Sequence, residues 1–560
     1  MRFALQKLSG LLNFNQYLII MLMIRRLAIG LWCWMVVAVV PALAQFEPSV
    51  RLELPISQNS EDVFDVTPLG DRGVLVNVRQ GDYYSSAPTK FLFKRYDTNL
   101  KQLWTAEYKI ESYYEPVRSC RTEHYLYWLM KEDENEKISV LRLNLEDGSM
   151  ESFKGDLVTP MEIFHFKVLD NIAYLGGYYR SRPVVVSFSF FDLTSKVLPG
   201  LYTNHIQLNN IEVDEYRRLV HVMTDATHQR NCEFTVRTYS YEGKLLRTVN
   251  LDGNEHSLIS GKLLPLNDEE SLLVGNYSND CTPYSQGVYI SRIRNAVAPL
   301  DVDKEGNNMV VTTTEETRYI DFSELQNFFN YMKPKRQQKM LERLARRKDQ
   351  GKDTKFRYRL LVHDLIPTEE GLMLVAEVYY PQYRGSSYPF IGSTRSFDRY
   401  QEGYRYTHAF MCGFDKKGRL LWDNSLPIPD LTSYDLHPMV QVLRTGNATV
   451  LAYPHEGEIN SEVIEGGKVV REREKYSLKK LAENEKVVYS ENDQLEAWYD
   501  GHFLACGFQK ISTDRSLAPP REVFYINKVT CNLSEPNHNP SSRSEAPDKT
   551  TQKTSGSKQR

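Results

Sequence analysis

The densest run of charge in this chain is also its most suggestive piece of chemistry. Between Lys333 and Lys352 stand nine basic residues and two acidic ones. On a helix, Lys335, Arg336, Lys339, Arg343, Arg346 and Arg347 would make a docking surface for an acidic protein, an anionic glycan or a membrane surface. The plainer alternative is a helix that packs its apolar side on the body and leaves its charged side in water. A second candidate follows it. "AEVYYPQYRGSSYPF" (376–390) crowds aromatic rings around Glu377 and Arg384. Tyr379, Tyr380, Tyr383, Arg384 and Tyr388 are the ligand-contact candidates, because tyrosine offers stacking area at low entropic cost. The plainer alternative here is an inter-strand loop lying over the body.

Other chemistry is sparse. His363, His437 and His455 each sit near carboxylates, but none has the HExxH spacing of a metal site, so each is expected to be structural. There is no GxSxG elbow, no phosphate-binding Walker loop and no GxGxxG after a strand. Carboxylates are abundant, and spacing alone does not tell which of them face each other. No catalytic set is named on these grounds, and no metal or cofactor is expected.

The elements that must position these residues are strands. Eight apolar runs recur: "GVLVNV" (73–78), "YLYWLM" (125–130), "IAYLGGYY" (172–179), "RLVHVM" (218–223), "SLLVGNY" (271–277), "GLMLVAEVYY" (371–380), "ATVLAYP" (448–454) and "HFLACGF" (502–508). Their starts are 46 to 54 residues apart except for intervals of 77 and 100. A phrase with a tight turn follows several of them. "FDKKGRLLW" (414–422) is the fullest copy, and "YDTNLKQLW" (96–104), "LEDGSMESF" (145–153) and "YSYEGKLLR" (239–247) are looser ones. In each, one strand arrives, an acidic residue and a turn residue reverse it, and a second strand leaves. A unit of about 50 residues with four short strands is a propeller blade. The fold expected is all-β: a β-propeller of eight, or seven, four-stranded blades. The apolar runs would be inner strands and the phrase the outer hairpin. "SVRLELP" (49–55) would close the ring against "EVFYINKVTC" (522–531).

These hairpins resemble those of quinoprotein-like and Kelch-like β-propeller repeats. The resemblance covers about residues 50–533 and implies an architecture. Catalytic quinoproteins carry a vicinal cysteine pair beside their cofactor, and this chain has no adjacent cysteines, so no redox role is implied.

Three segments stand outside the repeat. An α-helical insertion is expected at 319–352, with Ser323 capping a first helix whose apolar face is Leu325, Phe328, Phe329 and Met332. Pro334 would break it before a second helix bearing Met340, Leu341 and Leu344. Residues 534–560 are polar and expected to be disordered. Residues 1–44 read as a leader. Arg25 and Arg26 precede an apolar run, Leu27 to Val40, and Ala42-Leu43-Ala44 is a cleavage box, with Met23 the natural start. That run is short for a bilayer span, and no later segment would span one. Cleavage after Ala44 takes the net charge from −3 to −7. Nucleic acid is a poor partner for such a chain. Six cysteines remain, an even number that permits disulfides in an exported protein.

The function expected is an exported, secreted or periplasmic binding or scaffold protein of the cell envelope, with a protein or glycan partner. The alternatives are a carboxylate-dependent hydrolase of carbohydrate or peptide at the channel mouth, and an extracytoplasmic sensor domain.

Overall fold

A computed structural model describes residues 46–531 apart from 57–61, 81–89, 112, 133–134, 229–230, 252–255, 268–269, 295–316, 353, 385–399, 456, 478–483 and 514–518. The segments expected to be a leader and a disordered tail, and Tyr388, lie outside the described residues. Eight antiparallel sheets form a ring of blades, each built around four strands. In order they span 63–109, 114–156, 162–197, 206–251, 257–321, 359–433 and 441–477, with blade 8 made of 485–531 and the strand Phe46–Pro55. The count is eight, and the N-terminal strand pairs with Arg521–Cys531 as the closure reading required. Arg51 ties this joint by donating from Nη2 to Gln509 Oε1 at 2.8 Å, and its guanidinium lies 4.9 Å from the Tyr525 ring centre.

All eight apolar runs fall on the second strand of a blade, one place out from the channel. That position has a strand on either side and a blade on either face, so it is the most enclosed strand of each sheet. The Val74–Gln80 strand is buried over its first five residues, and Ala448–His455 over its first seven. The innermost strands are more polar because one edge is wet.

The repeated phrase is the outer hairpin in blades 1, 2, 4 and 6. Asp97 and Asp415 build the same turn: each Oδ1 accepts two backbone N–H groups, from Asn99 and Lys101 and from Lys417 and Arg419, at 2.8–2.9 Å. The left-handed position three residues later is Gly418 in one and Leu100 in the other, with φ of 73° and 58°. The tryptophan that ends the phrase reaches the next blade. A Cβ on Gly148 would lie 2.9 Å from the Trp104 ring, and one on Gly467 2.5 Å from Trp422. Each turn thus seats a side chain of the preceding blade, and the phrase recurs because the joint recurs.

Blades 4 and 5 are also joined by the disulfide Cys232–Cys281. Among the described residues Cys120, Cys412, Cys506 and Cys531 are not joined in disulfides.

The insertion differs from expectation. Residues 323–332 form no helix beyond a 3₁₀ turn, Phe328–Tyr331. Ser323 does not cap one; its hydroxyl donates to Asp321 Oδ1 at 2.5 Å. A carboxylate far along the chain wins these amides: Asp423, on the outer strand of blade 6, accepts the N–H groups of Gln326 and Asn327 at 2.9 and 2.6 Å. Phe322 and Phe328 are buried and stacked 4.3 Å apart between blades 5 and 6. Pro334 starts a helix rather than ending one: α1 runs Pro334–Asp349, and Pro fits the first turn because its missing N–H is not needed there. Leu344 is buried beneath α1, Met340 is half-buried, and Leu341 is exposed.

Candidate functional site

A local irregularity repeats around the channel. The innermost strands of blades 2, 3, 4 and 5 each carry one extra residue at a register shift: Val117, Phe164, Asn209 and Ile259. A bulge leaves its extra residue out of the ladder and bends the strand. The neighbouring strand must then let the displaced backbone approach. A Cβ on Gly177 would sit 1.7 Å from Glu162 O, and one on Gly275 1.8 Å from Ser260 O. No other residue type fits either place. Side chains of adjacent blades bind the bulged backbone. Arg118 Nε donates to Phe164 O at 3.3 Å, Asn209 Nδ2 to Ile259 O at 2.7 Å, and the Leu208 N–H to Tyr178 Oη at 2.8 Å.

Between blades 2 and 4, on the face that carries the blade-to-blade connections, lies a cleft of about 1090 Å³, lined by one of these bulged residues, Phe164. Phe164 points into it with its ring half exposed, and Tyr178 meets that ring edge-on at 5.8 Å. The hairpin Tyr179–Arg182 forms one wall. Its two turn residues, Arg180 and Ser181, have φ of 48° and 63°, and His205 on the opposite wall has 65°. A two-residue turn with both φ positive prefers Asn-Gly. Holding Arg-Ser there costs roughly 1 kcal/mol or more per residue. They are three of the nine non-glycine residues with positive φ among the described residues. The Arg180 guanidinium lies 5.1 Å from the Tyr179 ring centre. Lys131, Glu162 and Gln207 complete a polar rim.

Deeper in the channel, charge is arranged in two groups. Lys262 Nζ contacts Asp364 Oδ1 at 2.7 Å and Glu212 Oε1 at 4.0 Å. Burial pushes Glu212 up. Crowding by protein works to raise Asp364, although its side chain is open to water, but the Lys262 ammonium outweighs it and leaves Asp364 lowered. His165 is pushed down to about 4 by burial, then by the Lys167, Arg118 and Lys262 cations. The second group is Glu496 with Asp65, on the innermost strands of blades 8 and 1. Burial, and then the Asp65 charge, push Glu496 up to about 7. Burial alone raises Asp65, which is open to water yet crowded by protein, as a channel-lining group is.

The candidates named from sequence do not gather here. Tyr379 and Tyr380 are half-buried on a long strand, Gly371–Arg384, and face opposite ways, toward blade 7 and blade 5. Tyr383 is exposed, and Arg384 ends the strand opposite Tyr400. Lys335, Arg336, Lys339, Arg343 and Arg346 are exposed on α1, with Arg347 half-buried. His363 Nε2 is bonded to the buried Glu377 Oε1 at 2.8 Å, and that oxygen also accepts the Met439 and Val440 N–H groups. It is a structural histidine. Among the described residues no three His, Cys, Asp or Glu side chains gather as metal ligands, and no helix is long and apolar enough to cross a membrane. The Gly-Gly of "IAYLGGYY" was the one sequence signal pointing to the cleft.

The fold and channel mouth define a β-propeller protein. No family model and no curated protein matches the chain. Among solved structures it is similar to the Dos1 propeller, with TM-score 0.41 and 9% identity over 87% of this chain and 96% of that one. It is also similar to the polysaccharide lyase Uly1, with TM-score 0.38 and 10% identity over 74% and 90%. A third is the propeller domain of the Trilobed protease from Pyrococcus furiosus, with TM-score 0.32 and 9% identity over 76% and 100%. Likenesses this distant give no ligand.

Proposed function

We propose that this is an exported binding protein that holds a carbohydrate chain in the cleft between blades 2 and 4. The observation that carries the reading is Phe164, an apolar ring pushed into water by a bulge that its neighbours are built to accommodate. A sugar covers such a ring with its C–H face, while Arg180, Gln207 and Glu162 take its hydroxyls. The disulfide supports an oxidising compartment, in keeping with the apolar leader. A hydrolase reading has its own support in Glu496, a carboxylic acid poised near neutrality beside a second carboxylate in the channel. One experiment addresses both. A panel of neutral and uronate-containing oligosaccharides is titrated calorimetrically against the wild type and Phe164→Ala, and each mixture is assayed for new reducing ends. At least one sugar should bind, and the variant should bind it at least tenfold more weakly. No binding by the wild type, or equal binding by both, sinks the carbohydrate reading. New reducing ends that disappear in Glu496→Gln would replace it with hydrolysis.

A further inference from the structure

A helix face in water normally interleaves its charges, because like charges four residues apart repel. Helix α1 does not. At 100° per residue, Lys335, Arg346, Lys339, Arg343 and Arg336 fall within about 100° of arc, in a stripe about 17 Å long. Glu342 and Asp349 fall beside the stripe, outside it. All five cations are exposed, and among the described residues Lys335, Lys339, Arg343 and Arg346 have no carboxylate partner. Their placement also works against the helix. The first turn has no acidic residue, Lys333 provides no side-chain cap, and Lys335 and Arg336 set positive charge against the positive end of the helix dipole. Elsewhere this chain pairs many of its cations, as at Arg142–Glu151, Arg217–Asp214 and Arg419–Asp415.

We propose that this stripe docks an anionic polysaccharide, recognised by its charge. Two observations choose that partner. The apolar side of α1 is largely spent on the body, with Leu344 buried and Met340 half-buried, and the one exposed leucine, Leu341, is too little to enter a bilayer. The stripe itself holds no aromatic or aliphatic anchor, which a stable protein interface needs at its centre. A straight row of point charges at one-turn intervals suits a linear polyanion. The surface is independent of the carbohydrate cleft: it stands at the joint of blades 5 and 6, and the cleft lies between blades 2 and 4.

The test uses the full exported chain and a fluorescent heparin-derived dodecasaccharide, with anisotropy read from 50 to 300 mM salt. Lys335→Gln, Lys339→Gln, Arg343→Gln and Arg346→Gln are combined in one variant. These side chains are exposed, so the melting temperature should be retained and is measured as a control. The variant should bind at least tenfold more weakly at low salt, and its log K against log salt should be shallower by about three, because fewer counterions are released. Phe164→Ala should leave this binding unchanged. An unchanged affinity in the quadruple variant overturns the proposal. So does equal or tighter binding of duplex DNA of matched charge, or of vesicles with 30% anionic lipid.

Discussion

Two sides of the ring depart from the plain repeat in opposite ways. Blades 2 to 5 add one residue to each innermost strand, and the joint of blades 5 and 6 adds some forty between two strands. The small change reaches the channel. A single displaced residue turns Phe164 outward into a cleft that Arg180, Ser181 and His205 also line. The large change stays at the rim, where Phe322, Phe328 and Tyr331 fill a seam between blades and α1 covers them. A propeller core is already complete, so extra mass seals a joint, while a local fault in the ladder is what re-aims side chains.

That contrast can be broken at either end. Phe328→Ala removes a fully buried ring packed on Phe322 of the insertion and Phe410 of blade 6, and should cost about 3–5 kcal/mol in denaturant titration, with oligosaccharide binding kept. Phe164→Ala should do the reverse, and a stability loss of similar size there would erase the distinction. The seam also carries a pH signature. His408, stacked 3.6 Å beneath Tyr331, is pushed down to about 3 by burial, and its Nε2 has no hydrogen-bond partner among the described residues. The unfolded chain takes up its proton near pH 6.5 and the folded one does not, so stability falls as pH drops below 6.5. His408→Phe keeps the stack, and its stability should fall about 2 kcal/mol less than wild type between pH 7 and 5. An unchanged slope would show that the ring titrates freely. The smallest effect sharpens the cleft side. Arg180→Asn with Ser181→Gly installs the residues this turn prefers, so thermal unfolding should show a gain of about 1 kcal/mol while sugar affinity drops.

Much of the architecture was legible because its signals are local. Eight enclosed second strands announce themselves as apolar runs, and Asp with a left-handed residue three places on announces a hairpin. The closure was legible because both partners are strong strands. The sites were less so. Tyr379 and Tyr380 were grouped because they adjoin, yet strand alternation sends adjacent side chains to opposite faces. The first insertion helix was lost to Asp423, whose claim on Gln326 and Asn327 depends on a contact about 97 residues away. Phe164 was invisible because a bulge is a property of two strands together. Asp65 and Glu496 become neighbours only when the ring shuts.

That shutting also sets a schedule. The strand Phe46–Pro55 is synthesised well before its partner Arg521–Cys531, which follows more than 460 residues later. Until that partner is made, the Phe46–Pro55 strand has no mate and presents a bare hydrogen-bonding edge. Seven blades can assemble in turn, but the eighth must wait for the last strand, which makes the final step slow and exposed to mispairing between molecules. Arg51 and Glu53, which clamp Gln509 and Arg521 across that seam, act as the latch on a ring whose two ends are made furthest apart in time.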